Sequence, residues 1–179
     1  MKESKRTQLV ALGGFLAAFA VVVVVVIVSG VGGKDSTSIG PDCGDDSSIS
    51  TDTSTAPEIE APDDPAPTDL ECTDIVVGDG ATAEQGDQLT LQYVGANYED
   101  GKVFDSSWKN GQPLPVTLGA GGVIPGFDQG LEGMKVGGRR ELILPPDLGY
   151  GSQGSPPTIK PNETLIFVVD LLSVDSKSG

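Results

Sequence analysis

Histidine is absent from the 179 residues of this chain. Its absence excludes an imidazole general base, a Ser-His-Asp triad and every His-containing metal site. Cysteine is nearly absent as well; two residues, Cys43 and Cys72, cannot complete a four-thiolate zinc site. Basic residues are scarce: 11 Lys and Arg stand against 26 Asp and Glu, giving a net charge of −15. A chain so acidic lacks the basic face that a phosphate backbone needs, so no nucleic acid is expected as partner. Aromatic residues make up only 5% of the chain, and the Trp and all three Tyr fall within residues 93–150. Such uneven placement points to segments of different physical character.

Residues 1–33 read as a cytoplasmic stub and a membrane span. Lys2, Lys5 and Arg6 precede an uncharged apolar stretch at residues 9–28. At ~1.5 Å per residue this stretch spans about 30 Å, the thickness of a bilayer core. The positive-inside rule puts the N-terminus in the cytoplasm and everything after the span outside it. A cleaved signal peptide is the other reading, with Ser29 and Gly30 near the cut. The expected location is therefore the cell membrane with the C-terminal domain extracytoplasmic, or secretion if the segment is cleaved.

Residues 34–73 form an acidic Ser/Thr/Pro-rich linker. From position 35 to 74 there are 12 acids and no Lys or Arg. A stretch this polar buries too little apolar surface to offset its ordering entropy, and it is expected to be disordered. Cys43 and Cys72 lie toward its ends. Outside the cytoplasm they would either join as a disulfide or remain free or intermolecular thiols.

Residues 74–179 form the globular part. Leu89, Leu91 and Tyr93 alternate with polar neighbours, as in a half-buried strand. Residues 139–144 and 164–174 read as further strands, the second with Leu165, Phe167, Val169 and Leu171 on one face. Short strands are expected at 75–77 and 116–118. Only residues 127–134 look helical, with Phe127, Leu131 and Met134 on one side and glycines limiting the length. The pattern predicts an α+β domain: an antiparallel sheet with one face open to solvent and one short helix on the other.

Five motifs occur in order: Tyr93-Val94-Gly95; Val103-Phe104-Asp105-Ser106-Ser107; Gly122-Val123-Ile124-Pro125-Gly126-Phe127; Gly130-Leu131-Glu132-Gly133-Met134-Lys135-Val136-Gly137; and Pro145-Pro146-Asp147-Leu148-Gly149-Tyr150-Gly151. In these the chain resembles the FKBP-type peptidyl-prolyl cis-trans isomerases, over nearly all of its globular part. The resemblance implies a five-stranded antiparallel sheet wrapped around a short helix, with an apolar pocket between them. It implies catalytic positions at Phe104, Asp105, Ile124 and Tyr150, and substrate-binding positions at Tyr93, Val116, Val123, Phe127, Ile159 and Phe167. Phe127 takes the place of an aromatic floor residue that is usually Trp. Leu114 and Val116 stand where aromatics are frequent, which makes the rim less aromatic.

The implied reaction is rotation about an Xaa-Pro bond, slow because amide resonance must be broken. It needs no nucleophile, metal or cofactor, which suits a chain without histidine. The resemblance also implies proline-containing polypeptides and a macrolide such as rapamycin as partners; the N-terminal span adds the membrane and makes the expected polypeptides unfolded or nascent exported ones. A non-catalytic proline-binding or chaperone module is the alternative that the same pocket allows.

Overall fold

The structure is a computed structural model that describes residues 41–45 and 48–176. The expected membrane span and the start of the linker lie outside the described residues. Among the described residues no helix is long and apolar enough to cross a membrane.

The chain forms one antiparallel sheet. Its strands are β1 (Glu71–Val76), β2 (Gln88–Asn97), β3 (Val103–Ser106), β4 (Leu114–Thr117), β5 (Arg139–Leu144) and β6 (Leu165–Asp175). The order is β1-β5-β6-β2-β3, and β4 also pairs with β2. Six segments fill five positions, because β3 and β4 share one edge of β2. Gln88 to Leu91 pair with β4, whereas Val94, Gly95 and Ala96 pair with β3. Between these two strands the chain makes a single helical turn, α1 (Ser107–Asn110). The Ser106 hydroxyl accepts from the Lys109 N–H at its start, and Gly111, at φ 69°, ends it in the left-handed region. This turn adds a second helix to the one expected.

The main helix, α2 (Pro125–Leu131), begins two residues before the expected stretch because proline suits the first helical position. It lies close to β5. A Cβ on Gly130 would come within 2.5 Å of Leu142, and one on Gly126 within 2.8 Å of Leu144. The two glycines therefore form the contact face that lets a weak seven-residue helix pack tightly. The core between helix and sheet holds Leu89, Leu91, Leu131, Leu142, Leu165 and Val169, among others.

The other sheet face is not open to solvent, as the sequence pattern predicts, and the linker is not disordered up to Thr73. Val94, Ala96, Ile166 and Val168 alternate with the core-facing residues, yet each is at most 3% exposed. Within residues 48–66, the linker lies along this face as a strap. Fully buried Arg139 binds Asp170 through Nε (2.5 Å) and Nη2 (2.7 Å). It also donates to the Ser50 carbonyl (2.8 Å) and the Thr55 carbonyl (2.9 Å). Farther along, the Tyr98 hydroxyl donates to the Asp64 carbonyl at 3.2 Å. The strap is held by its backbone oxygens, and of its few apolar side chains Pro57 is buried and Ile49 and Ile59 are half-buried. Between strap and sheet lies a cavity of about 1080 Å³, bordered by Glu58, Glu60, Glu71, Tyr98, Glu141 and Ile143 among others. Burial pushes the Glu141 carboxyl up from its ordinary value.

Cys43 and Cys72, 29 positions apart in sequence, form a disulfide with Cα atoms 4.8 Å apart. Beside it the Gly44 N–H donates to the Cys72 carbonyl (3.0 Å), and the Asp74 N–H donates to the Gly44 carbonyl (2.7 Å). The ordered unit thus reaches back beyond the expected boundary at residue 74.

Candidate functional site

A cavity of about 480 Å³ opens between the sheet and the N-terminal end of α2. Its lining is Tyr93, Phe104, Asp105, Leu114, Gly121, Gly122, Val123, Ile124, Pro125, Phe127, Tyr150 and Phe167. It is smaller than the cavity under the strap, but it is where the aromatic residues converge. Phe167 on β6 is the hub, with ring centres 5.1 Å from Phe127, 5.6 Å from Phe104 and 6.3 Å from Tyr93. The Phe127 and Phe104 contacts are edge-to-face, the arrangement favoured by ring quadrupoles. Phe127 is 3% exposed and closes the floor.

The sequence explains how these rings gather. Gly95 pairs with Phe167 across β2 and β6. A Cβ at Gly95 would stand 2.7 Å from Phe104 and 2.8 Å from Phe167. Having none, Gly95 leaves the space in which both rings lie over the strand.

The polar side of the pocket is built around Asp105. Its carboxylate accepts from the Tyr93 hydroxyl, from the Ser106 N–H at 2.8 Å and from the Asn110 amide at 3.2 Å. Burial, reinforced by the bond to Asp105, pushes the Tyr93 phenol well above its ordinary value, so it remains a donor. The Ser107 hydroxyl accepts from the Tyr93 N–H at 2.8 Å and donates to the Gln92 side-chain oxygen. These bonds occupy Asp105 and Tyr93 with each other and with the turn below.

The donors left for a ligand include two at positions that the motifs mark. The Tyr150 hydroxyl has no partner among the described residues, and its residue is 40% exposed at the pocket rim. Tyr150 follows a 3-10 turn (Pro146–Leu148), where the Gly151 N–H closes back on the Pro146 carbonyl at 2.8 Å. The Ile124 N–H, at the start of α2, also has no partner among the described residues, whereas the Ile124 carbonyl accepts from Phe127 and Asp128. Asp128 in turn accepts from the Gly119 N–H at 2.8 Å and ties the glycine loop to the helix.

Of the ten site residues expected from the sequence, eight line this cavity. Val116 and Ile159 do not. Val116 pairs with Leu89, away from the aromatic end of β2, and is 6% exposed in the core. Ile159 bridges back to Ser155 in its loop, and its side chain, 4% exposed, joins the core. Leu114, two register positions nearer Tyr93, lines the pocket where Val116 does not. Gly121, Gly122 and Pro125 also line it. Among the described residues no cluster of His, Cys, Asp or Glu is arranged to hold a metal ion.

Residues 80–172 match the family model of the FKBP-type peptidyl-prolyl cis-trans isomerases. The chain belongs to this family. Its activity is peptidyl-prolyl cis-trans isomerisation. It is 51% identical over 119 residues to the FK506-binding protein of Streptomyces anulatus, a match covering 66% of this chain and 96% of that one. It is 47% identical over 117 residues to the probable FK506-binding protein of Corynebacterium glutamicum, covering 65% and 97%. Among solved structures it is similar to FkpA from Escherichia coli, with a TM-score of 0.55 and 38% identity. That match covers 66% of this chain and about half (52%) of FkpA. The FKBP-type assignment agrees with the order of the motifs.

Proposed function

We propose that this isomerase acts on Xaa-Pro bonds of unfolded or newly exported proteins outside the cytoplasm, held near the membrane by its N-terminal segment. The basic flank and apolar stretch at residues 9–28 support the tether. The Cys43–Cys72 disulfide supports an oxidising compartment.

The observation that carries the mechanism is the pairing of a desolvated aromatic floor with two unoccupied donors. Phe104, Phe127 and Phe167 grip the prolyl ring and exclude water. Water stabilises the planar amide more than the twisted one, whose resonance is lost, so removing it lowers the barrier. The Ile124 N–H and Tyr150 hydroxyl orient the carbonyls on either side of the bond. Asp105 keeps Tyr93 and the wall of the pocket in place and transfers no proton. Rotation breaks no bond, so binding the twisted amide more tightly than either planar isomer is sufficient. A rate gain of ~10⁵–10⁶ requires about 7–8 kcal/mol of such differential stabilisation. The same floor and donors suit a macrolide of the rapamycin type, with Leu114 giving a less aromatic rim than an aromatic residue would.

The test is cis–trans relaxation of an Xaa-Pro peptide by the full-length chain, with and without rapamycin. Acceleration abolished by rapamycin is expected. Acceleration that rapamycin leaves untouched would overturn the pocket assignment.

A further inference from the structure

The far end of α2 is held by an arginine that the pocket does not contain. α2 is intrinsically weak: it has seven residues, two internal glycines and no side-chain cap at its start. Past its last residue Glu132 is extended and Gly133 left-handed (φ 78°), so the Met134 N–H returns only to the Leu131 carbonyl (3.1 Å), and the last turn carries no basic side chain of its own. Arg140 on β5 supplies the missing donors. Its Nη1 donates to the Gly130 carbonyl at 2.8 Å and to the Glu132 carbonyl at 3.2 Å. Its other nitrogens bind Asp74, Nε at 2.7 Å and Nη2 at 3.0 Å. Asp74 is the cross-strand neighbour of Arg140 on β1. The Arg140 side chain is 5% exposed and that of Asp74 24%.

We propose that the Asp74-oriented Arg140 is the positioning residue that holds α2, and with it Ile124 and Phe127, in place against the sheet for isomerisation. The helix has its binding groups at one end and its only arginine clamp among the described residues at the other. A guanidinium suits this task. Its planar fork meets the carboxylate with two nitrogens and leaves a third free for the carbonyls, which an ammonium cannot do. A positive charge at the helix C-terminus also complements the helix dipole. Phe127 touches bound proline in the ground state and the transition state alike. Loosening α2 therefore weakens both, and the loss appears in KM more than in kcat.

This inference rests on the aromatic cavity being the isomerase pocket, and the experiment separates the two. The full-length Arg140→Met variant is compared with parent and with Val168→Ala, a destabilising change under the strap and away from α2. Measurements are made at a temperature where each protein is native by near-UV circular dichroism. Arg140→Met is expected to raise KM and the rapamycin Kd about tenfold, with kcat changed less than about threefold and Val168→Ala near parent. Arg140→Lys is expected to recover part of the loss, and Asp74→Asn to show a smaller loss in the same direction. A native Arg140→Met with KM and rapamycin Kd within about twofold of parent overturns the assignment. Should Arg140→Met not fold, Arg140→Lys and Asp74→Asn both within that margin overturn it equally. If the parent neither isomerises nor binds rapamycin, the pocket reading fails instead. Amide exchange then decides the role of Arg140: faster exchange in α2 with β2 unchanged supports it, and unchanged exchange in α2 refutes it.

Discussion

Replacing Arg139 by methionine tests a fully buried charge with four hydrogen bonds. The guanidinium is 0% exposed, and the side chain of its partner Asp170 is 4% exposed. Removing one member of such a pair leaves the other charge buried without compensation, at a cost of about 3–5 kcal/mol. For a domain of this size that corresponds to a fall in Tm of roughly 10–20 °C. The loss has a pH signature. Burial already raises the Asp170 carboxyl, while Arg139 pulls it down. Without Arg139 the folded-state value rises further above the unfolded one. The native state then binds more protons than the unfolded state between the two values, so stability falls as pH rises through that window. The deficit of Arg139→Met should therefore shrink as pH falls from neutral toward the ordinary carboxylate value. Arg139→Met/Asp170→Leu replaces the pair by apolar side chains and should recover most of the loss, with its pH dependence removed. Urea unfolding of the three proteins across this range gives the comparison. An Arg139→Met protein within about 1 kcal/mol of parent, or a double variant no better than the single, would refute the reasoning.

Three further outcomes are expected. Gly95→Ala places a Cβ 2.7 Å from Phe104 and 2.8 Å from Phe167, at a residue whose φ is not in the left-handed region. Displacing both rings should cost about 1–3 kcal/mol of stability and at least about tenfold in kcat/KM, read by denaturation and peptide relaxation. Tyr150→Phe removes a hydroxyl that has no protein partner among the described residues, so stability should be unchanged while kcat/KM falls about three- to tenfold. A version starting at Leu70 loses the strap and uncovers Val94, Ala96, Ile166 and Val168. Its urea midpoint should report a loss of about 2–5 kcal/mol against a version starting at Pro41, and equal midpoints would contradict the docking of the strap.

The parts of the fold legible in the sequence were those in which a side-chain pattern decides the structure. The expected strand at 139–144 is β5 with the same limits, and the strand at 164–174 is β6 shifted by one residue. Four of the five motifs bring seven of the eight residues to one cavity, where Phe167 of β6 joins them, whereas the motif at residues 130–137 lines none of it. Val116 and Ile159 were misplaced for a different reason. Whether an apolar side chain lines a pocket or fills the core beside it depends on strand register and loop closure, which composition does not encode. The strap was hidden more completely. Hydropathy counts the apolar surface a segment can bury, but this one docks through the carbonyls of Ser50 and Thr55 on an arginine more than 80 positions away. The buried face it covers looked, in sequence, like an ordinary apolar strand pattern. Arg140 was equally silent, since a helix end held by a neighbouring strand leaves no local capping signal.

The Cys43–Cys72 bond has a topological consequence. It closes the Ser/Thr/Pro-rich stretch into a covalent ring. A protease that cuts once inside this ring leaves two ends still joined through sulfur. The isomerase domain would then stay attached to whatever lies before Cys43. Release requires a second event, reduction of the bond, so cleavage and shedding become separate steps. A single nick would appear on a gel only after reducing agent is added.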